Sequence, residues 1–330
     1  MRLSCGRAWL ELDPCGAIIA DAVLYVGDKP VRPLFQNPWR DDPRQMDTLT
    51  RHLGGEWPCV PFGVPQPPAD LPLDWQCESD AETDWHRHAH GYGAHMMWTL
   101  KQEDAHTAVA EIIYPADGPI ARLRRRICLT SESEIALSLD VEPRRDTRIP
   151  IGLHPVISLA DAAPNTAQIN VAGDETAWTF PLEVEPGRSH LQPDQRAASL
   201  AALRGANGAL IDARSLPFDA HSEDLVLLTS PGGRVSLSRP EREYRVDVTW
   251  DDKDLPSCLL WLSNRGRDYA PWDGRVCAIG IEPVAAAFDL GVNHSTSAET
   301  PLAQAGIRSH VALTKGETWR TAYAISVHQE

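Results

Sequence analysis

Apolar and polar residues alternate with a period of two through most of this chain, the pattern of strands that bury one face and wet the other. Helical periodicity is scarce, so the chain must build itself from sheets. The alternation predicts strands over residues 7–12, 18–26, 95–101, 106–114, 121–129, 135–141, 149–157, 225–229, 234–238, 244–250, 258–263, 276–282, 307–313 and 318–327. Gly, Pro, Asp and Asn fill the gaps. The segments Pro115-Ala116-Asp117-Gly118 and Ser230-Pro231-Gly232-Gly233 are tight-turn sequences between such runs, so neighbouring strands run antiparallel. A single short helix is expected over 195–204. Six prolines in residues 58–72 predict an extended, irregular loop there, because proline offers no ladder donor.

More than a dozen strands with few helices predict an all-β fold, a large antiparallel sandwich of two sheets that bury their inward faces against each other. No internal repeat or low-complexity linker divides the 330 residues, so residues 1–330 are read as a single domain. With 42% hydrophobic residues the chain can bury a substantial core. Its 31 basic and 46 acidic residues leave a net charge of −15, which repels a polyphosphate and argues against a nucleic-acid partner. A neutral or cationic small ligand suits that charge. No apolar run approaches the ~20 residues of a membrane span, so no membrane partner is expected. Glu11, Asp13 and Asp21 interrupt the first apolar pieces, so a cytoplasmic protein is expected. Seven cysteines without a CxxC pair are read as reduced thiols.

Three places could carry chemistry. His86, His88 and His90 stand at i, i+2 and i+4; on a strand they would share one face, a geometry open to Zn²⁺ if a fourth ligand joined them. The other reading is a polar loop in which one histidine works and two are solvated. His154 interrupts the apolar run Ile149-Pro150-Ile151-Gly152-Leu153-His154-Pro155-Val156, and a buried imidazole needs a partner. Glu282 closes the apolar run 276–282, where desolvation would raise its pKa toward that of a usable general base, with His154 as the acid.

These residues carry a resemblance to the aldose 1-epimerase (galactose mutarotase-like) family. The matching pieces, in order, are Gly54-Gly55 before the proline-rich loop, His90-Gly91-Tyr92-Gly93 with Trp98, Gly152-Leu153-His154-Pro155, Glu282-Pro283, and Leu313-Thr314-Lys315-Gly316-Glu317. They span nearly the whole chain. The resemblance implies a β-supersandwich whose concave face holds a monosaccharide, with no cofactor and no metal. It implies Glu282 as the general base on the anomeric hydroxyl, His154 as the acid on the ring oxygen, and His90 as the histidine that positions the sugar.

Two departures bear on substrate binding, and one is Val156, where many relatives place an aromatic two residues after the second histidine. The family's Asn-Arg after the Gly-Gly pair is missing, since residues 54–63 read Gly-Gly-Glu-Trp-Pro-Cys-Val-Pro-Phe-Gly. Arg51 lies close in sequence, and Glu56 or Trp57 are alternatives for part of that contact. Trp57 is the expected stacking residue, in a loop expected to be exposed. For the family's sugar-binding aspartate, Asp224 comes first and Asp219 next. The function expected is mutarotation of an aldose by acid/base ring opening and closure. The alternatives are a non-catalytic sugar-binding protein or another carbohydrate-active enzyme on the same fold.

Overall fold

The computed structural model describes residues 1–78 and 83–330. Two large antiparallel sheets dominate them. The nine-stranded sheet contains the long strands Ile120–Ser131, Glu134–Pro143, Tyr244–Trp250 and Trp319–Gln329. The eight-stranded sheet runs in the spatial order Arg196–Ala197, Thr176–Thr179, Ser222–Thr229, Ser257–Asn264, Cys277–Ala285, Ile151–Leu153 and Pro58–Cys59, with Val156–Ser158 also paired to Cys277–Ala285. A four-stranded sheet of Arg2–Cys5, Ala8–Asp13, Ile18–Val26 and Lys29–Val31 lies at the N-terminal end. No helix among the described residues is long and apolar enough to cross a membrane.

Every residue of Ser222–Thr229, Ser257–Asn264 and Cys277–Ala285 is buried, which a strand of one-sided alternation would not allow. Both faces of this sheet are covered. Val226, Leu260 and Ile281 point into the sandwich core with Leu139, Val248 and Ile325 of the other sheet. Leu225, Leu227, Leu259 and Trp261 point the other way, into a second apolar cluster with Trp39, Trp57, Phe62, Trp75 and Phe288 from connecting segments. The period of two thus assigns each strand residue to one of two interiors.

Several expected elements differ from those observed. Residues 195–204 form no α-helix, only a 3₁₀ turn over Leu200–Ala202. Arg196–Ala197 pairs with Thr176–Thr179, and Leu203–Arg204 pairs with Leu210–Ile211. Gln195 binds the carbonyls of Gln192 and Arg204 and accepts from the Arg204 amide, so its side chain takes the backbone groups a helix would use. The run 149–157 divides into Thr147–Ile149, Ile151–Leu153 and Val156–Ser158, because Pro150 and Pro155 cannot donate to a ladder. The run 95–101 begins at the end of a 3₁₀ turn, Tyr92–His95, makes one isolated bridge from Met97 to Cys15, and enters its strand only at Thr99. The run 307–313 pairs only over Val311–Leu313.

One buried ion pair joins the layers. In Arg124-Arg125-Arg126 the strand turns the middle residue inward, and Arg125 is 1% exposed. Its guanidinium donates to the Glu56 carboxylate at 2.5 Å, to the Ala17 carbonyl at 3.0 Å and to Tyr323 Oη at 3.2 Å. Tyr323 Oη in turn donates to the other oxygen of Glu56. Gly55 allows Glu56 to enter: its φ is +68°, and a Cβ there would lie 1.8 Å from the Ile19 carbonyl oxygen. Glu56 is therefore not a ligand-facing residue.

Replacing one partner strands the other charge in the interior. Glu56→Gln or Arg125→Leu is expected to cost about 3–5 kcal/mol of stability by urea denaturation, whereas the Glu56→Gln/Arg125→Leu double variant should cost less than the two single losses added together.

Candidate active site

Glu282 lies on the face of Cys277–Ala285 that points away from the sandwich core. It sits directly across from Leu259, and Gly280, its neighbour on the same face, sits across from Trp261 and Val156. A Cβ on Gly280 would lie 2.2 Å from Glu282 Oε1. The space left by that glycine is the space the carboxylate occupies.

His154 sits in the break between Ile151–Leu153 and Val156–Ser158. Pro155 ends one pairing, and its carbonyl accepts from the Ile281 amide, which ties the break beside the Glu282 strand. His154 N–H donates to the Trp57 carbonyl at 2.9 Å. The interruption turns the imidazole toward the carboxylate: His154 Nε2 and Glu282 Oε1 are 3.4 Å apart, with side chains 7% and 2% exposed.

His90 adopts a φ of +58° in the turn before Gly91, and its amide donates to the Gly63 carbonyl at 2.7 Å. Its ring meets His154 edge-on, with centroids 5.2 Å apart. Phe62 packs on its other side at 5.0 Å. His90, His154 and Glu282 border one cavity of about 190 Å³, which Trp261, Arg267, Trp272 and Asp289 also line.

Burial in this cavity moves Glu282, His154, His90 and Asp289. Burial pushes the Glu282 carboxyl well above the usual carboxylate range, and the charge of Asp289 pushes it the same way. Burial and then the neighbouring His90 push the His154 imidazole well below its ordinary value. His90 is pushed down to about 3 by burial, with His86 and His95 adding to the effect. Burial raises Asp289 to about 6. Raised carboxyl and lowered imidazole side by side hold one proton between them near neutrality.

Other expected residues lie elsewhere. Trp57 is fully buried, not exposed, and stacks on the His154 ring with centroids 4.0 Å apart and planes 16° apart. Its indole is a back wall for the imidazole. Arg51 does not reach the cavity: its guanidinium donates to the carbonyls of Arg40, Asp42 and Arg44, pinning the loop before its helix, Thr48–His52. Asp224 has the parity of Val226 and Leu228, the core-facing side of Ser222–Thr229. Its carboxylate accepts the amides of His190 and Leu191 and is taken up by the chain. Asp219 accepts from Asn165 on the surface.

The segment 86–90 is not a strand, so the one-face geometry for three histidines does not arise. His86 borders a separate cavity with Trp85 and Tyr92, and His88 faces His95 at 5.1 Å. Among the described residues no group of three or more His, Cys, Asp or Glu side chains is placed to hold a metal ion.

Arg267 and Asp289 were not singled out by sequence. Arg267 follows Ser257–Asn264 by three residues, its guanidinium 4.4 Å from the Trp272 ring centroid and its Nε 2.7 Å from Glu185. Asp289 lies seven residues after Glu282, and its backbone carbonyl accepts from Val64. No periodic pattern marks either one; a charged residue in the loop after a buried strand was the available signal.

Neither a protein-family model nor a curated protein matches the sequence. Solved structures do match along the whole chain. A protein of Escherichia coli K12 provisionally named an aldose 1-epimerase has a TM-score of 0.66 at 16% identity, over 100% of this chain and 98% of that one. The aldose epimerase homologue from C. elegans has a TM-score of 0.64 at 10% identity, over 100% and 98%. A galactose mutarotase related enzyme from Lactobacillus acidophilus has 0.63 at 14%, over 100% and 97%. The fold is that of the galactose mutarotase-like proteins. Within that fold, the cavity described above opens on the covered face of the eight-stranded sheet.

Because Trp57 fills the interior behind His154, Trp57→Ala is expected to cost about 3–5 kcal/mol in chemical denaturation. Trp57→Phe should recover much of that loss. A Trp57→Ala protein as stable as the parent would place the indole outside the core.

Proposed function

We propose that the whole chain acts as one sugar-binding unit that interconverts the anomers of a monosaccharide, an aldose 1-epimerase-like isomerase working in the cytoplasm. The observation that carries this reading is the 3.4 Å approach of His154 Nε2 to Glu282 Oε1 at the cavity wall. The two oxygens of a cyclic hemiacetal hang from a single carbon, so an acid and a base that serve both must be neighbours. Relatedness of fold to named mutarotase-like proteins supports the same reading. Seven free cysteines, five of them buried, suit a reducing compartment.

In the proposed reaction the shared proton starts on His154, the minor arrangement of a pair whose burial favours the proton on Glu282, and Glu282, as carboxylate, takes the proton from the anomeric hydroxyl O1. The electron pair left on O1 forms the aldehyde C=O as the C1–O5 bond breaks, and His154, as imidazolium, gives its proton to O5. Rotation about C1–C2 presents the other face of the aldehyde. Closure runs the transfers in reverse: O5 attacks C1 and loses its proton to His154, and O1 regains one from Glu282. The pair ends with the single proton it started with. His90 braces the imidazole edge-on and Trp57 braces its face, which holds the ring at the reacting atoms.

Polarimetry or NMR exchange on a panel of aldoses tests the reading, and binding without exchange above the uncatalysed rate would turn it into a sugar-binding protein. Glu282→Gln and His154→Asn are each expected to lower kcat at least ~10²-fold, with the double variant little worse, because a base and an acid acting as one unit do not add. Gly280→Ala, which places a methyl where Glu282 Oε1 lies, should lower kcat while the protein stays folded.

The rate should also form a bell against pH. Activity needs one shared proton, so a second proton stops it at low pH and loss of the shared proton stops it at high pH. The acid limb is expected below the ordinary imidazole range, because burial lowers His154, and the alkaline limb above the ordinary carboxylate range, because burial raises Glu282.

A further inference from the structure

Two histidines that the proposed reaction leaves unused, His86 and His88, border a second cavity. It matches the first in volume, at about 190 Å³, and its lining shares no residue with it. Residues 60–63 lie between the two. Pro61 lines the second cavity while Phe62 packs on His90 of the first, and a Cβ on Gly91 would stand 2.1 Å from the Val60 carbonyl oxygen. Tyr114 pins this wall, because its hydroxyl donates to the Val60 carbonyl at 2.8 Å and accepts the Gly93 amide at 3.0 Å. Across the cavity, Arg144 donates to the carbonyls of Tyr114 and Pro115, each at 2.6 Å, which fixes the turn over residues 115–118. Both sides of the cavity are held by the fold.

The lining is aromatic and polar without a free charge. Trp85 and Tyr92 border it, each only partly buried against the sandwich core. Burial lowers His86 to about 4, and it lowers His88 as well, with His95 and Arg87 adding to the effect. Both imidazoles are therefore neutral near pH 7. Arg87 donates to Asp117 at 2.8 Å, so each of these two charges at the rim has its partner. His86 is 7% exposed, and its ring leans on the backbone of His88 and Gly63, yet Nε2 forms no hydrogen bond among the described residues. A nitrogen of a neutral imidazole is either an N–H or a lone pair, and a hydroxyl satisfies both. A hydroxyl-bearing ring with an apolar face meets the imidazole and the indole together.

We propose that this second cavity is a non-catalytic binding site for an uncharged pyranose, with Trp85 as the stacking face and His86 Nε2 as the group that a ring hydroxyl satisfies. The site goes beyond the mutarotase reading and does not depend on it. Its one carboxylate, Asp117, is held by Arg87, so no acid and base face each other there as His154 and Glu282 do. The ligand therefore needs no free anomeric hydroxyl, and a methyl glycoside serves as well as a free sugar. The three histidines spaced at i, i+2 and i+4 divide between two cavities, His90 to the first and His86 and His88 to the second.

The test follows the Trp85 indole N–H by NMR, assigned by its absence from Trp85→Ala, as D-glucose, D-galactose or methyl β-D-glucopyranoside is added. A saturable shift is expected with the methyl glycoside and with at least one free sugar. Trp85→Ala, read on the His88 amide, and His86→Phe, which keeps a ring and removes both nitrogens, should each weaken that binding at least ~10-fold. Anomer exchange of the free sugars should be unchanged in Trp85→Ala. If one variant fails to fold, the other carries the comparison. No saturable shift with any of the three sugars, or parental affinity in the folded variants, overturns the proposal and leaves a cavity of water. Loss of exchange in a folded Trp85→Ala protein overturns it too, by making the cavity part of the catalytic site. A saturating Trp85 shift without exchange supports the second site and sinks the mutarotase reading, whereas exchange without the shift does the reverse.

Discussion

The eight-stranded sheet is buried on both faces, and the rest of the structure follows from that constraint. One face is covered by the nine-stranded sheet in the ordinary manner of a sandwich. The other must be covered by connecting segments, and these bring Trp39, Trp57, Phe62, Trp75 and Phe288 over Leu227, Leu259 and Trp261. A cover made of loops can leave a hollow that a second sheet would have filled. Glu282, on the loop-covered face, opens onto that hollow.

A cover of this kind has to be held, and Glu56 holds it. Its carboxylate reaches Arg125 and Tyr323 of the nine-stranded sheet, while the next residue, Trp57, stacks on His154 and accepts its amide proton. The same short segment therefore fixes the second interior to the first and sets the face of the imidazole. A buried ion pair contributes little net stability compared with an apolar substitute, but its geometry admits few alternatives. Here that specificity lies two residues' reach from the proposed acid.

Desolvation then supplies the chemistry. A carboxyl held up and an imidazole held down, within 3.4 Å, are the state in which one proton serves two groups. The same burial raises Asp289, which also lines the cavity. Enclosure, not any single residue, is what shifts the carboxyls and imidazoles of the lining.

The sequence by itself determined the all-β architecture, because a period of two can bury a face only in a sheet; the strands Ile18–Val26 and Tyr244–Trp250 begin and end where the alternation predicts. It also marked His154 and Glu282, since a titrating residue inside an apolar run stands out and each gave the other a partner. What depended on distant contacts was not legible. Arg125 reads as one of three surface arginines until strand parity and Glu56 draw it inward, and Trp57 reads as a loop tryptophan until the second interior closes over it. Asp224 and Asp289 are alike as letters. Asp224 lies on the core side of its strand with two amides to satisfy it, and Asp289 lies on the loop after the Glu282 strand, where it lines the cavity. Only the tertiary structure decided between them, because burial and hydrogen-bond satisfaction are properties of neighbours that the sequence places more than thirty residues away.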